Sequence, residues 1–256
     1  MEAIRWISVT VVKLLARILL KVEVAGLERI PASGPVILAI NHVNFIDAPL
    51  LYALLPRKIT GLAKVELWDK PVLGLVASSW RAIPIRRGEL DLNAVRLALH
   101  ALREGKVLGI APEGTRSHHG RLQRGRPGIV LLALRAPDAL ILPMAIYGHE
   151  YFDRNLRQLR RTEVNLVFGQ GFHLNPGSGR ITHEMRQQMT NEIMMQIAAL
   201  LPPQYRGVYS DLTAATERYL RFPVGATSNV RLALNERATL QLPSRPDLPA
   251  VEGKGL

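Results

Sequence analysis

Apolar residues follow two rhythms along this chain. Short, mostly apolar runs fill residues 35–40, 59–63, 82–85, 107–111, 140–147 and 163–168. Such runs, bounded by turn formers and charges, read as buried strands. Between them lie stretches with helical spacing. In residues 92–103, Val95, Leu99 and Leu102 recur and Gly105 follows as a stop. In residues 182–200, Met185, Met189, Ile193, Ile197 and Leu200 repeat at helical intervals. Residues 48–55, 68–79 and 126–134 read as shorter helices, with Pro71 suited to a first turn. Strands alternating with helices predict an α/β domain with a mostly parallel central sheet flanked by helices.

The first 22 residues carry a different pattern. Residues 2–22 are dominated by apolar side chains, with Trp6 early and Lys13, Arg17 and Lys21 recurring at one-turn intervals. The charges interrupt the run before it reaches the ~20 apolar residues that a spanning helix needs. No small-residue cleavage site follows, so no secretory signal is expected. The pattern predicts an amphipathic helix lying in the interface of an anionic membrane, or docked on the protein's own core. Residues 26–34, with Pro31 and Ser33, read as a connector. The chain thus divides into an N-terminal interface helix and connector (1–30), an α/β domain (31–202) and a C-terminal extension without a functional signal (203–256).

Composition narrows the partners. The chain of 256 residues carries a formal charge of +12, which favours anionic partners. Aromatic residues make up only 5%, too few for a base-stacking platform, so nucleic acid ranks below a membrane surface or a phosphorylated ligand. The absence of Cys removes thiol nucleophiles, disulfides and Cys-based metal sites. His118 and His119 are adjacent and lack a clear third ligand, so no metal site is expected.

Candidate chemistry gathers where the predicted strands end. The run 35–40 leads into Asn41-His42-Val43-Asn44-Phe45-Ile46-Asp47. A histidine titrates near neutral pH and takes a proton from a hydroxyl; a carboxylate beside it fixes its tautomer and stabilises the imidazolium. Lys64 follows the second run, Arg86 and Arg87 the third, and Glu113 and Arg116 the fourth. Carboxyl ends of parallel strands share one rim of an α/β sheet, where ligands bind. His42, Asp47, Lys64, Arg87, Glu113 and Arg116 are therefore placed to converge, joining a base to cations suited to phosphate.

Four segments in order carry a closer likeness. They are Asn41-His42 with Asp47, Ile83-Pro84-Ile85 with Arg87, Pro112-Glu113-Gly114-Thr115-Arg116-Ser117, and Leu142-Pro143-Met144. Over about residues 35–170 the chain resembles the glycerolipid acyltransferases, most closely the 1-acylglycerol-3-phosphate O-acyltransferase (lysophosphatidate) type. The resemblance implies that His42 is the general base and Asp47 its partner. It implies that Lys64, Arg87 and Arg116 hold the acceptor's phosphate, and that Glu113, Gly114 and Thr115 position the acceptor. Pro143 would shape the acyl-donor side. Acyl-CoA or acyl carrier protein is the implied co-substrate, with no cofactor and no metal. The implied place is the cytoplasmic face of the cell membrane, peripheral or monotopic. The chain departs from the family pattern at Arg81, where Gly is frequent, at Ala111, where Phe is common, and at Arg124-Gly125 in place of Lys-Gly. Extra cations at Arg81, Arg86 and Arg124 suit a larger anionic lysolipid, so a lysophospholipid or lyso-aminolipid acceptor stands as an alternative. A basic lipid-binding protein without catalysis is the reading from another class.

Overall fold

The run at 36–40 becomes the middle of a sheet because both of its faces are covered. The computed structural model describes residues 1–86, 88, 91–117 and 119–239. In chain order its main elements are α1 (Glu2–Leu19), β1 (Leu20–Ala25), β2 (Val36–Ile40), α2 (Asp47–Leu54), β3 (Ile59–Lys64), α3 (Pro71–Ser79), β4 (Ile83–Ile85), α4 (Leu92–Arg103), β5 (Val107–Ile110), α5 (Gly128–Arg135), β6 (Leu140–Tyr147), α6 (Phe152–Arg157), β7 (Thr162–Phe168), β8 (His173–Leu174), α7 (His183–Ala199), β9 (Leu220–Arg221) and α8 (Asn229–Thr239). Seven strands form one sheet in the order β1-β7-β6-β2-β5-β3-β4. The pairings from β6 through β2, β5 and β3 to β4 are all parallel. β7 runs antiparallel to β6, and β1 parallel to β7.

Burial follows the two-residue period of a strand. Ile37 and Ala39 of β2 face a core built with α4, α5 and α7. Val36, Leu38 and Ile40 face a second core under α2. A strand buried on both faces reads as an unbroken apolar run, which is how β2 stood out. β7 alternates buried and more exposed positions along its length, the pattern of a strand with one covered face.

The N-terminal helix is shorter than its apolar run. It stops at Leu19, and residues 20–22, expected to close the helix, instead open β1, which runs to Ala25. The sequence Leu-Lys-Val-Glu-Val-Ala alternates with a strand's period and pairs residue by residue with β7. Lys21, expected on the helix's basic stripe, lies in that strand and meets Glu163 at 3.8 Å. α1 rests on α2 and α3, with Ala16 and Leu19 against the core and Trp80 Nε1 donating to Ser8 Oγ at 2.8 Å. None of its residues is buried, and Ile7, Val11, Leu14, Leu15 and Ile18 form an exposed apolar face at helical spacing. Among the described residues no helix is long and apolar enough to cross a membrane.

Residues 203–239 are not a loose appendage. Tyr209, Leu212, Tyr219 and Val230 enter the first core, β9 pairs with β8, and α8 packs on α7. Buried Glu192 of α7 accepts from Thr216 Oγ1 at 2.7 Å and from the Arg218 and Tyr219 amides at 3.1 and 2.9 Å. These bonds give an otherwise costly buried carboxylate its partners.

Candidate functional site

β2, β3, β4 and β5 end on the same rim, and the turns leaving them enclose a cavity of about 570 Å³. That size lies within the range of small-ligand sites. Its wall is largely apolar: Ile40, Leu51, Ile59, Leu62, Val95, Ile110, Ile129 and Leu132 contribute. Gly61 and Gly109 face each other in the β3–β5 register and, lacking side chains, leave room there. His42, Asp47, Arg86, Gly114 and Arg126 share the same lining. A largely apolar space thus joins a histidine and two cations.

The structure brings His42 and Asp47 together across the turn that starts α2. His42 Nδ1 lies 2.7 Å from Asp47 Oδ2. The same oxygen accepts from the amides of Val43 at 2.8 Å and Asn44 at 3.0 Å. The other oxygen, Oδ1, meets Nε2 of His149 at 2.5 Å. Burial alone would raise the Asp47 pKa, but hydrogen bonds from His149 and His42 outweigh it and hold it at about 2. Asp47 is therefore ionised at neutral pH. The Asp47 side chain is 1% exposed and that of His42 is 18%, so His42 is the member of the pair open to a substrate.

The backbone around His42 is fixed from three sides. Its amide donates to Glu113 Oε1 at 2.9 Å, and its carbonyl accepts from the Ser117 amide at 2.8 Å. Asn41, just before it, bonds both ways to the backbone of Ile146 on β6, at 2.8 Å each. Glu113, expected to position the acceptor, is 2% exposed, and its second oxygen takes the Gln123 amide at 2.8 Å. Both oxygens are thus committed to main chain. Burial pushes its pKa up to about 7 despite those two bonds, with the Asp47 charge adding to the rise.

The other expected residues are placed unevenly. Gly114 adopts φ +73° and lines the cavity; the Arg126 stem passes where a Cβ would stand, at 3.1 Å. Thr115 and Arg116 are exposed beside it and are not in the lining. Lys64 ends β3 on the same rim, outside the lining, and pairs with Glu66 at 2.9 Å. Arg87 lies outside the described residues, as does His118. Its neighbour Arg86 lines the cavity, and the Arg86 amide is held by Asp91 at 3.2 Å. Pro143 sits inside β6, in register with Ala39 and outside the lining. Pairing of β6 with β7 begins at Met144, so the missing N–H at Pro143 interrupts no ladder on that side.

Three features escaped the sequence reading. Arg126, directly after the Arg124-Gly125 pair, reaches the cavity. His149 contacts Asp47 from 102 positions away; its signal was available, since it follows β6 by two residues, near the carboxyl end of a parallel strand. Finally, the C-terminal segment buttresses the site loop. Leu122 N donates to Tyr205 O at 2.9 Å, and the Gly125 amide donates to the Tyr209 hydroxyl at 3.0 Å. Arg81, where glycine was the expected residue, holds φ +55°, a left-handed conformation that glycine adopts without strain.

Comparison with known proteins adds kinship to this geometry. Residues 21–147 match the family model described as Acyltransferase. The chain is 26% identical over 181 residues to the 1-acyl-sn-glycerol-3-phosphate acyltransferase of Bacillus subtilis, covering 70% of this chain and 87% of that protein. It is 35% identical over 183 residues to the lyso-ornithine lipid O-acyltransferase of Pseudomonas aeruginosa, covering 66% of this chain and 70% of that one. The crystal structure of the 1-acyl-sn-glycerophosphate acyltransferase from Thermotoga maritima shares the fold, with a TM-score of 0.55 at 22% identity over 75% of each chain.

Proposed function

The chain belongs to the glycerolipid acyltransferase family and is an O-acyltransferase, and from that premise we propose that it acylates the free hydroxyl of a lysophosphatidate to make phosphatidate for phospholipid biosynthesis. One observation carries the reading: His42 is held by ionised Asp47 in the wall of a largely apolar cavity that also presents Arg86 and Arg126. An acyl chain needs the apolar wall, a phosphate needs the cations, and a hydroxyl nucleophile needs the base.

The chemistry follows from the hydrogen bonds. Asp47 engages Nδ1 of His42, which leaves Nε2 as the basic nitrogen. Nε2 takes the acceptor's hydroxyl proton as that oxygen attacks the thioester carbonyl. The new C–O ester bond forms, the C–S bond breaks, and the departing thiolate takes the proton back from the imidazolium. Asp47 stabilises the imidazolium between those steps. Gly114 lets the backbone turn close to the reacting groups. Arg86 and Arg126, with Arg116 and Lys64 nearby on the rim, supply charge for the acceptor's phosphate. The donor is an acyl-CoA or an acyl carrier protein, both acidic and both suited to a chain of charge +12. The exposed apolar face of α1 supports an interfacial position on an anionic membrane, at its cytoplasmic face where those donors are found.

Thiol release from acyl-CoA, with and without lysophosphatidate, tests the reading on purified protein. Release that depends on the acceptor and falls about a hundredfold or more in His42→Ala, with the fold intact, is expected. Near-normal turnover in that variant overturns the role of His42. Vesicle binding with no thiol release under any acceptor would return the protein to the lipid-binding class. A second acceptor reading rests on the 35% identity to a lyso-ornithine lipid O-acyltransferase. An acceptor panel with one acyl-CoA separates the two, because the lyso-aminolipid reading expects turnover without a phosphate on the acceptor.

A further inference from the structure

His149 is the one group on Asp47 that the proposed chemistry leaves without a task. Its imidazole is wholly buried, 0% exposed, and its Nε2 is 2.5 Å from Asp47 Oδ1. Gly148 puts it there. That residue turns the chain at φ +95° as it leaves β6, where an added Cβ would lie 3.0 Å from the Glu163 carbonyl oxygen. The His149 carbonyl then accepts from the Phe152 amide at 3.1 Å, tying the turn to the start of α6.

The division of labour on the carboxylate is unequal. Oδ2 takes His42, Val43 and Asn44, while Oδ1 has His149 as its recorded partner. An ionised carboxylate accepts and does not donate, so the proton in the Asp47–His149 contact belongs to Nε2. The Nδ1 atom of His149 is buried and meets no partner among the described residues, so one ring proton satisfies the contact. Without His149, Oδ1 would be a buried acceptor with nothing to bind, and the carboxylate would lose the bond that fixes its rotation from behind.

We propose that His149 is a positioning residue of the acyl-transfer site, holding Asp47 from its far oxygen so that Oδ2 stays aimed at His42 Nδ1. The proposal rests on the reading of His42 as base. His149 acts through Asp47 and touches no substrate, being closed off from solvent. Its loss therefore slows the chemical step and leaves substrate binding unchanged. The expected loss is about tenfold in kcat, the scale of one hydrogen bond to an ionised group, with KM within about twofold.

The test compares H149Q with H149N in the full-length protein. A Gln amide reaches the place of Nε2, whereas an Asn amide reaches only toward that of Nδ1. H149Q should keep kcat within about threefold of the wild type, and H149N should fall about tenfold per folded molecule, judged by circular dichroism and thermal melting. Equal kcat in two folded variants overturns the proposal, as does a loss confined to KM. A readout independent of turnover is histidine-selective ¹⁵N NMR of the wild type and both variants. It should show His149 as the Nε2–H tautomer, with the His42 resonance displaced in H149N and restored in H149Q. An Nδ1–H tautomer at His149, or a His42 resonance indifferent to both substitutions, overturns it even without activity. Wild-type protein that shows the expected tautomer and coupling but no thiol release would sink the acyltransferase chemistry and leave the contact standing.

Discussion

Replacing Glu113 by Gln should flatten a pH dependence of stability that the wild type shows through the neutral range. Burial raises the Glu113 pKa from 4.5 to about 7, against its two backbone hydrogen bonds. The folded state then binds the proton more tightly than the unfolded chain. Stability from this group is fully present below pH ~4.5 and is lost as pH rises to ~7. A difference of ~2.5 pKa units corresponds to ~3 kcal/mol, of which ~2.5 kcal/mol falls between pH 5 and pH 8. Little of this is screened, because the residue is 2% exposed. The Gln amide does not titrate. It also turns an N–H donor toward one of the two main-chain amides, so E113Q should be less stable at every pH by ~1 kcal/mol or more. The measurement is urea unfolding of both proteins at pH 5 and pH 8. The difference between them, not either curve alone, isolates residue 113 from the rest of the chain. Wild type should lose ~2.5 kcal/mol more than E113Q across that interval. Parallel pH dependences would refute the claim that this buried carboxylate is protonated on folding.

The opposite sign holds at Asp47. Its pKa is depressed from 3.8 to about 2, so it contributes ~2 kcal/mol above pH ~4 that is lost as pH falls through ~2; D47N should lack that acid limb in denaturation from pH 5 to pH 2. Gly207→Ala should cost ~2 kcal/mol or more, because its φ is +52° and the new Cβ would lie 2.0 Å from the Leu122 carbonyl oxygen. Thermal melting reads that loss, and reduced turnover in the protein that remains folded would show strain passing into the 121–126 loop. Leu14→Glu with Ile18→Glu should weaken sedimentation with anionic vesicles while leaving the melting temperature within a few degrees. Both side chains are exposed on α1, so unchanged sedimentation would remove that face as the membrane contact.

The contact of His42 with Asp47 was legible because it is local. A doubly buried strand prints an unbroken apolar run, and a histidine placed just past its end stands out, as His42 does after β2. Asp47 is five positions away, across one turn. What the sequence concealed depends on partners far along the chain. The Leu20–Ala25 alternation is plain once β7 lies beside it, but it follows directly on a longer helical pattern. Nothing in Pro112-Glu113-Gly114 says that both carboxylate oxygens end on main-chain amides, ten positions away at Gln123 and 71 away at His42. The resemblance implied a positioning role for Glu113; its buried oxygens brace the main chain at His42 and Gln123.

The same distinction explains how the C-terminal segment relates to the chemistry. Arg126 belongs to a loop that carries few apolar anchors of its own. Its position depends on bonds that arrive from elsewhere: Gln123 to Glu113, Leu122 to Tyr205, and Gly125 to the Tyr209 hydroxyl. The first of these ends on the carboxylate that also holds His42, so His42 and Arg126 are registered against one buried group. The other two end on residues 203–209, which are held in turn by the core through Tyr209 and Leu212. On the proposed reading, a cation that holds the acceptor's phosphate must sit within a fraction of an ångström of its productive place relative to His42. In this fold two of those bonds come from a segment outside the cavity's lining, which is why its sequence looks silent.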